Sequence, residues 1–345
     1  MTIAPATLTT ASPEATAQVR RLFAGVRLSQ AISVAASLGI ADALTDGPRT
    51  SEDIAAVVGG DPPTTYRLLR ALAAGGILHE SEDRTFSLTE LGVTLRSDVA
   101  GSVRDQAINF GKPYMLAAWG NLEHSIRTGE NAFTALHGED VWAFRARDPK
   151  DQSDFNRAMA SYSAAIGPAL AAAYPFGAIG TLADLGGGSG TLLAAVLAAH
   201  SQLRGILFDQ PAVVAESGPI LRRAGVADRT EVVGGDFFAS VPAADAYVMK
   251  SILHDWSDTD SIRILRAIRA AAPTTARLLI VEHVLGGPND DLDGKLLDLH
   301  MLVMPGGLER TLDEWRDLFA SGGWTLTGIR PLVAGFQLIE GSPAA

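Results

Sequence analysis

The chain has 345 residues, 47% apolar and 19% charged, with a formal net charge of −11 and a mean hydropathy of +0.16. That is enough for two domains of ~100–200 residues, and the composition excludes disordered and fibrous classes. The acidic balance argues against non-specific attraction to nucleic acid or anionic lipid. The absence of cysteine excludes disulfides, thiolate zinc sites and thiol nucleophiles, leaving His and carboxylates for any acid–base chemistry. No apolar run reaches the ~18 residues of a membrane span, and no basic, apolar leader opens the chain, so a cytoplasmic protein is expected.

The first fourteen or so residues read as a loose tail. From Gln18 to Ala43 apolar residues recur near helical spacing, with Gly39 inside the run, so one or two packed helices are expected. Thr50-Ser51-Glu52-Asp53 and Asp61-Pro62-Pro63 then open two short helices, each ended by glycines. Ile77–Glu80 and Thr85–Leu88, separated by Ser81-Glu82-Asp83-Arg84, form a hairpin pattern. Helix, helix, hairpin is the order of a winged helix. A DNA-reading module needs a basic face, yet residues 1–100 hold eight Arg and no Lys against eleven acidic residues, a net of −3. A dimerisation module on that scaffold fits better, because its Ala- and Leu-rich helices carry more apolar surface than so small a unit can bury.

Residues 103–175 read as helical and concentrate bulky side chains, among them Trp119, Phe133, Trp142, Phe155 and Met159. Such a group suits a core, and equally the lining of a pocket for a flat apolar ligand. From Thr181 the pattern becomes strand, turn, helix, repeated. Seven strands are expected, at TLADLG, GILFDQ, TEVVGG, AYVMKS, RLLIVEH, TLTGIRP and FQLIEG, with helical stretches between the first six. This predicts an α/β, doubly wound, Rossmann-like domain, closed at one edge by an antiparallel hairpin because Leu332–Gly335 is so short. The expected domains are 1–102 (dimerisation), 103–175 (helical linker contributing to a pocket) and 176–345 (catalytic).

Chemistry-bearing residues fall at the carboxyl ends of these strands, where such sheets bind ligands. The first strand runs into Asp184-Leu185-Gly186-Gly187-Gly188-Ser189-Gly190, a turn that lets backbone approach a ligand closely. The second ends at Asp209, nineteen residues after Gly190, placed to hydrogen-bond the two ribose hydroxyls of an adenosine group. The third is followed by Asp236-Phe237, a carboxylate and an aromatic suited to an adenine ring. The fourth leads through Lys250 into Leu253-His254-Asp255-Trp256-Ser257-Asp258.

In this order LADLGGGSG, FDQP, GDFF and LHDWSD, with LLIVEHV and LDLHMLVMPGGLERTLDEW farther on, resemble the S-adenosylmethionine-dependent small-molecule O-methyltransferases. That family includes plant caffeate and flavonoid enzymes and bacterial enzymes of aromatic polyketides, and the resemblance covers nearly the whole chain. It implies a homodimer that methylates a hydroxyl of an aromatic secondary metabolite. By the same resemblance Asp209 binds ribose, Asp236 and Phe237 hold adenine, Lys250 packs nearby, and Gly186 and Gly188 flank the methionine portion. Met159 and Ser163, four apart on a helix, correspond to further cofactor contacts. The catalytic base falls on His254 and its supporting glutamates on Glu282 and Glu309. The stretch between Met301 and Pro305 is one residue shorter than in the plant enzymes and lacks their asparagine, so no acceptor carries over from them.

The chemistry supports that base. A phenol with a pKa of ~10 is mostly protonated at neutral pH, and an imidazole can take its proton. A carboxylate on the far ring nitrogen fixes the tautomer, a task suited to Glu309 with Glu282 secondary. Asp255 either orients the acceptor or starts the next helix. Trp119, Phe155, Met301 and Met304 are expected to line an apolar acceptor site. No metal is expected, since Glu282, His283 and His300 show no metal-ligand spacing. Hydroxylation or N-methylation on the same fold, and a winged-helix transcription regulator, remain the alternatives.

Overall fold

The computed structural model describes residues 10–344, so positions 1–9 of the expected tail lie outside the described residues. The chain divides into two compact units, Met1–Lys112 and Pro113–Ala345.

In the first unit Ser12 caps the helix Pro13–Leu38, which ends where Gly39 takes a left-handed φ of 73°. A one-turn helix, Ile40–Ala43, follows, so the run that reads as one or two helices is two. Thr50 and Asp61 accept backbone N–H bonds that start the helices Ser51–Val58 and Pro62–Ala74. Strands β1 (Arg49–Thr50), β2 (Leu78–Glu80) and β3 (Thr85–Leu88) form an antiparallel sheet in the order β1-β3-β2, completing a winged helix. Ile40, Ile54, Leu69, Leu72 and Phe86 make its core. The helix Arg104–Phe110, which sequence reasoning places in the linker, packs on Pro13–Leu38, and the first unit therefore runs to Lys112 rather than 102.

The second unit is built on a seven-stranded sheet. Its strands are β4 (Thr181–Leu185), β5 (Arg204–Asp209), β6 (Thr230–Gly234), β7 (Ala246–Lys250), β8 (Arg277–Glu282), β9 (Trp324–Pro331) and β10 (Gln337–Pro343). They lie in the order β6-β5-β4-β7-β8-β10-β9, the first five parallel and β10 antiparallel to both β8 and β9. Continuous apolar runs in β4, β7 and β8 bury both faces: Leu182, Val248 and Leu279 on one, Ala183, Tyr247 and Ile280 on the other. The chain leaves β4 toward β5 on one side and returns to β7 on the other, which opens the ligand-binding crevice at the carboxyl end of β4. The helix Pro149–Ala173 packs on Thr191–Ala199, and this approach needs Gly167, whose added Cβ would sit 2.7 Å from Ala195 Cβ. Much of the expected linker is therefore part of the catalytic unit.

One expectation fails. No helix joins β6 to β7. Residues 235–245 are turns, because Asp236 Oδ1 accepts the Phe238 N–H and the paired Phe237 and Phe238 rings pack on Trp256. No helix among the described residues is long and apolar enough to cross a membrane.

The helix Pro13–Leu38 leaves Val19, Leu22, Phe23 and Val26 exposed, a surface that a second copy would cover. Light scattering is expected to give twice the 36.1 kDa of one chain, and Leu22→Asp with Phe23→Asp to return the single-chain mass.

Candidate active site

The glycine turn folds onto the end of β5, where Gly186 and Gly187 N–H groups both donate to the Phe208 carbonyl, at 2.8 and 3.3 Å. Gly186 sits at φ 70°, and a Cβ there would meet Ile252 Cδ1 at 2.4 Å. Gly188 sits at φ 59°, yet a Cβ there would meet nothing within 4 Å, so open space lies above the turn. Asp209 Oδ2 accepts the Gly188 N–H at 2.9 Å, and Oδ1 accepts the Gln210 N–H at 2.7 Å. Burial raises the Asp209 carboxyl and these two bonds pull it back. Nearby, Asp184 Oδ2 is buried with no partner among the described residues, and burial, then the Asp209 charge, pushes its carboxyl up to about 7. Lys250 Nζ lies 3.3 Å from Ser251 Oγ, and desolvation lowers its ammonium against the pull of Glu282, Asp184 and Asp255. A strand-end carboxylate, an open glycine cradle and a buried acid with one unpartnered oxygen would fit an adenosyl sulfonium group. Met159 and Ser163 face each other one turn apart, the Ser163 hydroxyl donating to the Met159 carbonyl at 3.0 Å.

At the end of β7 the chain makes a single 3-10 turn, Leu253–Asp255, which presents His254. Its Nδ1 is 2.6 Å from Glu309 Oε1 and 3.4 Å from Glu282 Oε2. Nδ1–H therefore donates to Glu309, leaving Nε2 as the open nitrogen, 3.6 Å from Asp255 Oδ1. Glu282 Oε1 accepts the backbone N–H groups of Ile252 and Leu253, each at 3.0 Å, so this carboxylate braces the turn as well as facing the ring. Burial alone would depress the imidazole, but Glu282, Asp255 and Glu309 outweigh it and hold it at about 10. Burial raises Asp255 to about 7 although His254 opposes the shift, and it raises Glu282 as well.

Sequence reasoning misses Arg310, beside Glu309. Fully buried, its guanidinium donates to the carbonyls of Leu253 (3.1 Å) and Trp256 (3.0 Å) and pairs with Asp258 at 2.8 Å. It ties the His254 turn to the segment bearing Glu309, as does the Leu308 N–H, which donates to the His254 carbonyl at 2.9 Å.

Trp119 Nε1 donates to His300 Nδ1 at 3.0 Å, and burial, then Arg145, lowers that imidazole to about 4. His300 is thus a neutral acceptor. His283 packs on the Phe336 ring, so neither His283 nor His300 converges on Glu282. His254, Glu282 and Glu309, all buried, offer atoms within 4.8 Å of one another. Phe155 meets Trp142 edge-to-face, and Met301 is buried. Met304 packs with Met115, Phe133 and Val303, which gives it a core environment.

An added methyl group at Gly307 would lie 1.9 Å from the His254 carbonyl oxygen. Gly307→Ala is expected to cost about 1–3 kcal/mol, read from a denaturant midpoint, and to lower turnover through the displaced turn.

Comparison with known proteins agrees with this architecture. The O-methyltransferase domain model matches residues 119–325 and the O-methyltransferase dimerisation domain model residues 20–98. The phenazine O-methyltransferase PhzM of Lysobacter antibioticus is 42% identical over 324 residues, 94% of this chain and 95% of its own length. The 8-amino-8-demethylriboflavin N,N-dimethyltransferase of Streptomyces davaonensis is 40% identical over 339 residues, 96% of this chain and 97% of its own. Among solved structures, the O-methyltransferase NcsB1 from neocarzinostatin biosynthesis, in complex with S-adenosylmethionine and 2-hydroxy-5-methyl naphthoic acid, superposes with a TM-score of 0.79. It is 34% identical, covering 91% of this chain and 95% of that one. The chain belongs to the S-adenosylmethionine-dependent O-methyltransferases, the family of aromatic secondary-metabolite enzymes that carry an N-terminal dimerisation domain.

Proposed function

We propose that this enzyme methylates a phenolic hydroxyl, with His254 Nε2 as the general base. The observation that carries the reading is the Nδ1–Glu309 contact of 2.6 Å, which leaves Nε2 open at the strand end beside the glycine turn. S-adenosylmethionine supplies a methyl carbon already made electrophilic by its sulfonium. Asp209 takes the ribose hydroxyls, Asp236 and Phe237 the adenine, and Gly186, Gly188 and Lys250 border the remainder, with Met159 and Ser163 as further contacts. Glu309 fixes the ring tautomer and Glu282 holds the turn. Asp255 orients the hydroxyl, and Trp119, Phe155 and Met301 contribute the apolar wall, with Met304 in the core behind them. Homodimerisation is the assembly in which these units work.

An imidazole held at about 10 is nearly matched to a phenol of ~10, so the proton moves between them at little cost. Below about 10 the ring is mostly imidazolium, so kcat/KM rises with pH as the ring or the acceptor gives up its proton, and levels off once both have done so. For His254→Ala we expect a loss of roughly 10²–10⁴-fold that shrinks as pH nears the acceptor's pKa, where a pre-ionised acceptor needs no base. A deficit equal across pH for acidic and weakly acidic phenols would remove His254 as base.

Asp209→Ala is expected to weaken S-adenosylhomocysteine binding by about 2–4 kcal/mol in calorimetry, the worth of two charge-assisted hydrogen bonds. Equal affinity would take Asp209 out of the site. The N,N-dimethyltransferase relative favours a second reading, transfer to an arylamine. An amine attacks through its own lone pair, so aminoarene and phenol acceptors assayed side by side separate the two, and His254→Ala should spare the amine.

A further inference from the structure

Arg145 is a buried cation, 4% exposed, on the helix Val141–Ala146. Its Nε donates to Tyr114 Oη at a long 3.3 Å, and among the described residues no other hydrogen bond or ion pair engages its guanidinium. Arg310 shows the opposite case in the same unit, with its donors spent on Asp258, Ser261 and two carbonyls. A guanidinium taken out of water with its fork unfilled is costly, and the cost is recovered when an anion fills it.

Aromatic rings and the catalytic cluster lie around this guanidinium. The guanidinium carbon lies 4.0 Å from the Phe155 ring centroid and 5.6 Å from that of Trp142, so two aromatic rings, set edge-to-face, border the fork. On the catalytic side its charge reaches Asp255, next to His254, and His300, the partner of Trp119. Arg145 therefore stands beside the aromatic wall and within electrostatic reach of the base.

We propose that Arg145 receives a carboxylate of the methyl acceptor, so that the acceptor is an aromatic hydroxy acid; this rests on the acceptor reading above. The planar fork matches a planar carboxylate with two parallel N–H···O bonds, while the acceptor ring lies beside these aromatic side chains and its hydroxyl points to His254 Nε2.

The test uses the full-length protein loaded with S-adenosylhomocysteine. A set of hydroxynaphthoic acids is titrated by calorimetry, each beside the naphthol that lacks the carboxyl group. Wild type is expected to bind the acids about tenfold or more tightly than the naphthols. In Arg145→Gln that ratio should collapse toward one, and Arg145→Lys, which keeps the charge without the fork, should fall between. A wild type without preference for the acids, or an Arg145→Gln that weakens acids and naphthols alike, overturns the proposal. Should Arg145→Gln fail to fold, the Arg145→Lys ratio decides by itself, and an undiminished ratio there refutes the fork. Methyl transfer to the same set is scored separately. Acid preference without O-methylation would sink the acceptor reading and leave the carboxylate contact standing, whereas O-methylation with no acid preference does the reverse.

Discussion

The active site depends on one buried guanidinium. Arg310 grips the carbonyls on either side of His254, and because it follows Glu309 directly, the same residue brings the proposed base and the carboxylate on its Nδ1 into register. The segment after helix Leu292–Val303 thereby lies against the turn after β7, so closely that Gly307 has no room for a side chain. A base on a short turn would otherwise be mobile. Here both its backbone and its far nitrogen are held by the same short stretch of chain, which is how a loop residue gains the precision usually given to a helix or strand.

Around that grip the charges are concentrated and mutually dependent. Glu282, Glu309 and Asp255 surround one imidazole in a place that excludes most water, and each raises the ring's affinity for a proton. None is dispensable to the others. Removing His254 leaves three crowded carboxylates, whereas removing Glu282 frees two peptide N–H groups as well as a charge. Asp184, Asp209 and Lys250 repeat the theme beside the glycine turn, where burial pushes both carboxyls up and the Lys250 ammonium down.

Much of this was legible in the chain. Glycine turns, strand-end carboxylates and LHDWSD are local patterns, and the features they specify are local too: a left-handed φ at Gly186, an N–H aimed at Asp209, a turn displaying His254. What escaped is nonlocal. Arg145 sits in a short helix with no motif around it, and its proposed role depends on Asp255, 110 positions farther along the chain. Trp119 and His300, 181 residues apart, pair only because the fold brings them together. The missing helix between β6 and β7 has a related cause, since Phe237 and Phe238 carry apolar bulk that a helix would also use but spend it on Trp256.

The placement of β10 between β8 and β9 has a consequence for biosynthesis. A strand that enters the sheet last in chain order fills an interior position, so until Gly341 has been made β8 stands as an open edge, its backbone groups from Leu278 to Glu282 unpaired on one side. The five parallel strands can assemble as the ribosome delivers them, but Glu282, at the end of that edge, gains its neighbour Gln337 only once β10 is available. A nascent chain stalled short of β10 would hold the cofactor's strands without a finished catalytic wall, and its exposed edge would be a natural target for a chaperone.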